Sequence, residues 1–163
     1  MDRRRSASAL AVAVLSAAVI ASAASAGPSA QRQRVAIEGR LVLATNKGTW
    51  TLIPLSGGPL KKDSGTSVGG GSIKPPVIRR NGQKVTVIIG KDVHTSKKGT
   101  FVMTQRVESV LAARGDNADT GTWAFKSGTG IYKGVTGSGG FASVCCAKTG
   151  ILYSRQEGYL RIP

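Results

Sequence analysis

The stretch that decides the fold is residues 120–141, TGTWAFKSGTGIYKGVTGSGGF. Its first part is extended, with Trp123 and Phe125 on one face, because alternate residues of a strand point the same way. Closely spaced glycines follow, at Gly128, Gly130, Gly134, Gly137, Gly139 and Gly140. Glycines this dense mark backbone that turns tightly or passes close to another segment.

Apolar side chains recur between these glycines, namely Ile131, Tyr132 and Val135. A flexible linker would contain few such residues, so the stretch predicts a compact turn that plugs one end of a β-structure. A glycine-rich loop between two strands is the alternative. The stretch contains no nucleophile–base pair and no metal-ligand cluster, so we predict a structural role for it.

Period-two alternation elsewhere predicts further strands, and no segment shows sustained helical periodicity. Val35 opens a first strand that ends near Leu43, and a turn at 46–48 leads into a returning strand that ends near Pro54. Later strands are predicted around 101–111, 141–146 and 151–162. Strands that recur at this short spacing favour an all-β fold, either an antiparallel barrel or a sandwich.

The segment between these groups is less regular. Glycines and prolines in residues 56–76 predict a loop with at most a short edge strand. Asn81-Gly82 then predicts a two-residue type I′ hairpin. The apolar residues of the strand after it are expected to face the core: Val85, Val87 and Ile89.

Residues 1–26 predict a secretory signal peptide. Three arginines precede an apolar run from Ala9 to Ala21, and Ala24-Ser25-Ala26 fits a cleavage site. The run is too short for a stable transmembrane span. We therefore expect a secreted, extracellular protein without a membrane span, with a disordered segment at 27–34 and a single domain at 35–163.

The chain is strongly basic, with a formal net charge of +15 that becomes +13 without the predicted signal peptide. Six cations are candidates for a face that binds an anionic partner: Lys74, Arg79, Arg80, Lys84, Lys97 and Lys98. Such a field favours anionic partners, namely nucleic acid, anionic cell-wall polymer or an acidic lipid surface, and a merely solvated surface is the alternative. The segment lacks the aromatic side chains on which bases stack, which argues against nucleic acid.

Residues with metal or redox chemistry are few. Cys145 and Cys146 are adjacent in a predicted strand, so we expect opposite faces and no bridge between them. The only histidine, His94, lies in a predicted polar link at 90–99 and has no partner histidine. Asp116, Asn117 and Asp119 lack the remaining ligands of a calcium loop and predict a turn. No cofactor or metal ion is predicted.

The glycine-rich stretch resembles a known signature. Trp123, then GTGIYKG at 128–134 and GSG at 137–139, is similar to the tryptophan–GTGxYxG–GxG pattern of secreted bacterial members of the allene oxide cyclase-like and dirigent-like β-barrel group. Residues 98–100 and 157–160 also fit. The resemblance covers roughly residues 35–163. It implies a calycin-like antiparallel barrel of about eight strands, often trimeric, whose lumen is able to hold a small apolar or phenolic molecule. No local motif aligns the catalytic residues of plant members with positions here.

Three predicted strands repeat a pair of opposite charges spaced by two residues. The pairs are Glu38 with Arg40, Arg106 with Glu108, and Arg155 with Glu157, and Tyr153 and Tyr159 share the face of the last pair. One interpretation is a solvent-exposed ladder of ion pairs, which contributes little to stability. The other places all eight side chains in the lumen as a ligand-binding site, where a buried glutamate has a raised pKa and an arginine holds a carboxylate or phenolate.

Three functions follow from these patterns. The first is binding of a small apolar or phenolic ligand in the lumen, or a structural role. The second is isomerase or cyclase chemistry, as the resemblance implies. The third is an extracellular module that binds anionic cell-wall polymer through the basic face.

Overall fold

A computed structural model describes residues 30–112, 115–146 and 148–163, without the side chains of Ser127 and Cys146. The predicted signal peptide, residues 27–29 and part of the turn before Asn117 lie outside the described residues. No helix in the described ranges is long and apolar enough to cross a membrane.

The described chain is built almost entirely of strands. They are β1 (Gln31–Val42), β2 (Lys47–Pro54), β3 (Asp63–Ile73), β4 (Val77–Ile78), β5 (Lys84–Ser96), β6 (Gly99–Leu111), β7 (Asn117–Gly128), β8 (Thr136–Cys146) and β9 (Ile151–Ile162). A 3-10 turn, Gly130–Tyr132, lies between β7 and β8. All pairings between neighbouring strands are antiparallel.

Eight of these strands close into a barrel. The order around it is β1, β2, β3, β5, β6, β7, β8 and β9, and β4 pairs with β5 outside this ring. Two pairings complete the closure, β3 with β5 and β1 with β9. The all-β antiparallel barrel predicted from the sequence is confirmed, and the first and last strands are neighbours as expected.

One end of the barrel is filled by a cluster of aromatic side chains. The ring of Phe101 stacks on Phe125 with centroids 4.6 Å apart, and Trp50 and Tyr132 pack against it at 4.9 and 4.8 Å. Such ring pairs add to the stabilisation from apolar burial. This end therefore holds a packed core and leaves no room for a ligand among these rings.

The predicted plug forms part of this core. Tyr132 and Val135 are buried, whereas Ile131 is 42% exposed, so the prediction is confirmed for two of its three apolar residues. The turn needs glycine at Gly130, where φ is +56° and a Cβ atom would lie 2.0 Å from the carbonyl oxygen of Lys98. The Tyr132 hydroxyl donates to Asp63 at 2.6 Å and thereby ties the plug to the start of β3.

Asp63 anchors this end of the barrel. Burial raises the pKa of its carboxyl, but hydrogen bonds from Tyr132 and Ser96 outweigh that effect and hold the pKa below its usual value. Lys98 lies 3.7 Å away and adds charge compensation.

β3 corrects the prediction of a loop at 56–76. Residues 63–73 form a full strand that pairs with both β2 and β5. Its inward positions carry small residues, so the strand lacks the apolar alternation by which strands are recognised. At Gly65 a Cβ atom would come within 1.8 Å of the carbonyl oxygen of Thr95, which shows that glycine is needed for close approach of the two strands.

The first strand also begins earlier than predicted. β1 starts at Gln31, within the segment expected to be disordered. Gln33 is fully buried because its side-chain amide donates to the carbonyl of Leu60 and accepts from the amide of Leu60, at 2.9 and 3.0 Å. A buried polar side chain with both hydrogen bonds satisfied extends the strand without an apolar signal.

The hairpin at Asn81-Gly82 differs from its prediction in detail. Arg79 bonds to Gln83, and the amide of Gly82 donates to the carbonyl of Arg79, so the loop has one residue more than a type I′ hairpin. Within the loop only Gly82 has a positive φ, of +80°, whereas a type I′ turn requires a positive φ at both central residues. Val85 and Val87 are buried, but they share the outward face of β5 with Ile89, which is 40% exposed, and Val87 pairs with the outward Glu108. The prediction that these three residues face the core is therefore wrong.

Cys145 is buried within β8. The side chain of Cys146 lies outside the description, so the absence of a bridge between the two thiols stays a prediction.

Candidate functional site

A cavity of about 310 Å³ occupies the half of the lumen opposite the aromatic cluster. Exposed residues of the β1–β2 turn and the end of β3, such as Asn46 and Ile73, border it, so it opens at that rim. The apolar side chains that line it are Leu41, Leu43, Ile73, Ile88, Val107, Phe141 and Leu152. The polar ones are Asn46, Ser67, Asp92, His94, Gln105, Asp119, Ser154 and Gln156. The volume is at the lower end of the range found for small-molecule sites.

Asp92 lies on the inner face of β5. Its carboxylate accepts a hydrogen bond from Gln105 Nε2 at 2.5 Å and a second from the backbone of Gly70. Burial raises the pKa of Asp92 to about 6, and these hydrogen bonds only partly offset that effect. The side chain is therefore an anion at neutral pH and takes up a proton when the pH falls slightly below neutral.

His94 follows two residues later on the same face. It is 95% buried, and its ring stacks on Phe101 with centroids 4.6 Å apart. Burial lowers the pKa of His94 to about 4, so the ring is neutral at pH 7. Neither ring nitrogen has a hydrogen-bond partner among the described residues. The prediction that His94 lies in a loop is wrong, because β5 continues to Ser96.

Asp119 and Gln156 contribute two more unsatisfied atoms. Asp119 Oδ2 accepts from Ser143 Oγ at 2.6 Å, and Gln156 Nε2 donates to Ser154 Oγ at 3.3 Å. The other carboxylate oxygen of Asp119, Oδ1, and the amide oxygen of Gln156, Oε1, find no partner in the described ranges, although both residues are at least 95% buried. Asp119 belongs to β7 and not to the turn that its sequence neighbours predicted.

These side chains define what the cavity can do chemically. Buried polar atoms are hydrogen-bonded in almost all native structures, and an unsatisfied one costs about 1 to 3 kcal/mol. The cavity brings together several such atoms from three strands. It is therefore equipped to bind a molecule with complementary polar groups. No group of three or more metal-ligating side chains occurs in the described part of the chain.

The charged pairs predicted from the sequence lie elsewhere. Arg155 contacts Glu38 across the β1–β9 pairing and Glu157 at 2.7 Å, and Arg34 adds a contact to Glu157 at 3.1 Å. On β6, Arg106 contacts Glu108 at 2.9 Å, and Arg79 approaches the same carboxylate. Arginine neighbours hold the pKa of Glu108 and Glu157 below its usual value.

The structure contradicts the interpretation that places eight predicted side chains in the lumen. They are the side chains at Glu38, Arg40, Arg106, Glu108, Tyr153, Arg155, Glu157 and Tyr159. All of them alternate with inward-pointing neighbours and face outward; Tyr153, for example, is 52% exposed. Arg40 borders the cavity through its place between Gly39 and Leu41. Ligand binding by this outer set stays a prediction.

We expect Glu157→Gln to leave the thermal midpoint of unfolding within the scatter of repeated measurements. The ion pairs around Glu157 are solvent-exposed, and such pairs contribute little because water screens them. Thermal unfolding followed by circular dichroism checks this. A clear fall in the midpoint would show that the outer ladder carries stability.

The six predicted anion-binding cations do not form one face. Lys74, Arg79, Arg80 and Lys84 precede or begin β5, whereas Lys97 and Lys98 follow its other end. Lys84 begins the 13-residue strand β5 and Lys97 directly follows its last residue, so the two groups lie about 40 Å apart. These six cations are therefore divided between the two rims.

The cavity residues were not predicted from the sequence because the alternation that places them on the inner face is weak. Asp92 and His94 alternate with Lys91 and Val93 and so continue the period of β5. Because Lys91 is polar as well, the segment has the composition of a polar linker. Ser154 and Gln156 alternate with the charged outer residues of β9 in the same way. A search for inward polar positions opposite charged outward ones would have found both groups.

Comparison with known proteins adds no relative: no family model, no curated protein and no solved structure matches this chain.

Proposed function

We propose that this protein binds a small organic molecule in the lumen of its barrel. The observation that carries the proposal is the cavity of about 310 Å³ with unsatisfied, buried polar atoms on its wall. A barrel of this size closes equally well around an apolar filling, as the aromatic end of the same lumen illustrates. Polar atoms held without partners are costly to stability, and a bound ligand that hydrogen-bonds to them removes that cost.

The proposal includes the biological setting inferred from the sequence. Membership of the allene oxide cyclase-like and dirigent-like group, export after cleavage at Ala26 and assembly into a homotrimer are parts of it. Cleavage at Ala26 leaves all of β1 intact, since that strand begins at Gln31. The secreted barrel then meets its ligand outside the cell.

Acid–base catalysis on the bound molecule is a second candidate, of the isomerase or cyclase type. Asp92 favours it, because a carboxyl with a pKa of about 6 inside a cavity can both accept and return a proton near neutral pH. Loss of turnover in Asp92→Asn at a ligand concentration that saturates the variant would distinguish catalysis from simple binding.

Binding of an anionic polymer is less well supported, because the cations lie at two separate rims. A long polymer could still span both. Steep weakening of polymer binding with added salt is the result that would favour this function.

The lumen proposal is tested by filling the cavity from a glycine. Gly90 lines the cavity, and a Cβ atom placed there meets nothing closer than 3.7 Å, so Gly90→Leu is expected to fold with its side chain in the ligand's space. Gly140 is the matched control, because it lies on the outer face of β8 and an added Cβ meets nothing within 4 Å. Gly140→Leu therefore makes the same change outside the barrel.

Titration with the neutral fluorophore N-phenyl-1-naphthylamine measures access to the lumen. We expect wild type and Gly140→Leu to bind it alike, and Gly90→Leu to bind at least about tenfold more weakly, which corresponds to a loss of about 1.4 kcal/mol. Equal binding by all three proteins, or binding by none, would contradict a ligand site in the lumen.

A further inference from the structure

We infer that the lumen selects organic cations: small amines whose ammonium group donates hydrogen bonds to the polar wall and whose apolar body fills the rest of the cavity. The inference rests on the proposed function, because it names the ligand class of the same site. It reverses the expectation that follows from the surface charge, which favours anions.

The unsatisfied atoms on the cavity wall are mainly hydrogen-bond acceptors. Asp119 Oδ1 is a carboxylate oxygen and Gln156 Oε1 is an amide oxygen, and both can only accept hydrogen bonds while the carboxylate is ionised. Neutral His94 offers one acceptor and one donor nitrogen. A ligand with several N–H donors satisfies more of these atoms than a carboxylate or a phenolate does.

The charged side chains on the cavity wall also favour a cation. Asp92 and Asp119 line the cavity, and no lysine does so. The one arginine at its border, Arg40, is exposed and sits between the inward Gly39 and Leu41, so strand alternation directs its side chain outward. Among the described residues the lumen is thus a locally acidic space within a strongly basic protein.

Other parts of the cavity wall are apolar. Val107, Phe141 and Leu152 present apolar side chains to the same cavity. An ammonium without an apolar body would leave this surface exposed to water, whereas an alkyl or aryl amine covers it. Polar groups at a few points and an apolar wall elsewhere are typical of specific small-molecule sites.

Three probes of nearly the same shape separate charge from size: 2-phenylethylamine, 2-phenylethanol and phenylacetate. Isothermal titration at pH 7.5 and moderate salt is expected to rank them amine, alcohol, carboxylate, with the amine at least tenfold tighter than the carboxylate. Gly90→Leu should abolish binding of the amine, and Gly140→Leu should not.

Charge-neutralising variants locate the effect. Asp119→Asn and Asp92→Asn keep the side-chain shape and are each expected to weaken the amine at least fivefold while leaving the alcohol unchanged. Glu157→Gln makes the same change in net charge on the outer surface and should bind like wild type. Two independent lumen variants keep the test valid if one of them folds poorly.

The outcomes separate the two claims. Equal or tighter binding of the carboxylate, still blocked by Gly90→Leu, would overturn the cation inference and leave lumen binding standing. Amine binding that Gly90→Leu does not affect would place the site outside the lumen and overturn the inference. Absence of amine binding at millimolar concentration would overturn it as well, whereas N-phenyl-1-naphthylamine would still report on the lumen.

Discussion

Replacing Trp123 by alanine is expected to lower the free energy of unfolding by about 3 to 5 kcal/mol, as for other fully buried large side chains. Trp123 is only 2% exposed and belongs to the main core cluster. It packs so tightly on β9 that a Cβ atom at Gly158 would lie 2.8 Å from its ring. Truncation therefore leaves a void that the rigid strand pairs around it cannot close.

Urea denaturation followed by circular dichroism measures this loss. Tyr153→Ala is the matched control, because it removes an aromatic ring from the outer surface and is expected to cost less than about 1 kcal/mol. Similar midpoints for Trp123→Ala and wild type would show that the glycine-rich stretch does not organise the core.

The second large effect concerns pH. We expect Asp92→Asn to be more stable than wild type by about 2 to 3 kcal/mol at pH 7.5 and equal to it near pH 4. The pKa of Asp92 rises from 3.8 when unfolded to about 6 when folded, because burial penalises the charge. Its protonated form supports the folded state fully below pH 3.8, and this support is lost as pH rises through about 6. Asparagine carries no charge and avoids the loss.

His94 acts in the opposite direction within the same cavity. Its folded pKa of about 4 lies below the usual 6.5, so stability is complete above pH 6.5 and is lost as pH falls toward 4. Between pH 4 and 6 the two slopes oppose each other in wild type. Asp119 is the other titratable side chain on the cavity wall and is common to both proteins. The variant is therefore expected to lose stability steeply below pH 6.5, where wild type stays nearly level.

Urea unfolding at half-unit steps from pH 4 to 8 checks the difference between the two proteins. Subtraction removes the contribution of the exposed glutamates, since they are the same in both. A difference that does not change with pH, or an Asp92→Asn protein that is less stable at pH 7.5, would mean that Asp92 is not buried in the cavity.

The sequence predicts the fold through its large apolar residues. Alternation around Val35 and Ile37 favours an all-β fold, either a barrel or a sandwich, and the glycine-separated Tyr132 and Val135 predict the plug. The structure shows an antiparallel barrel in which both plug residues are buried. β3 escaped prediction because its inner face carries glycine and serine, which pack by close backbone approach and leave no apolar period. Backbone complementarity of that kind depends on the neighbouring strand and is not encoded locally.

The site was harder to predict than the fold because its residues are polar on both faces of their strands. Glu157 and Gln156 are adjacent in β9, yet one is on the surface and the other lines the cavity. The charge of Glu157 made it a candidate site residue, but Gln156 is the buried one of the two. Which face of β9 is inside follows from Leu160 and Ile162 at its end, both buried, and their parity matches Gln156.

Native mass spectrometry tests most directly the central claim that the lumen holds a ligand. Wild type, Gly90→Leu and Gly140→Leu are each incubated with a small-molecule extract of the source culture, desalted and measured under non-denaturing conditions. We predict one additional mass per chain on wild type and Gly140→Leu, which is lost on unfolding and absent from Gly90→Leu. Bare polypeptide for all three proteins, or the same adduct on all three, would contradict the account.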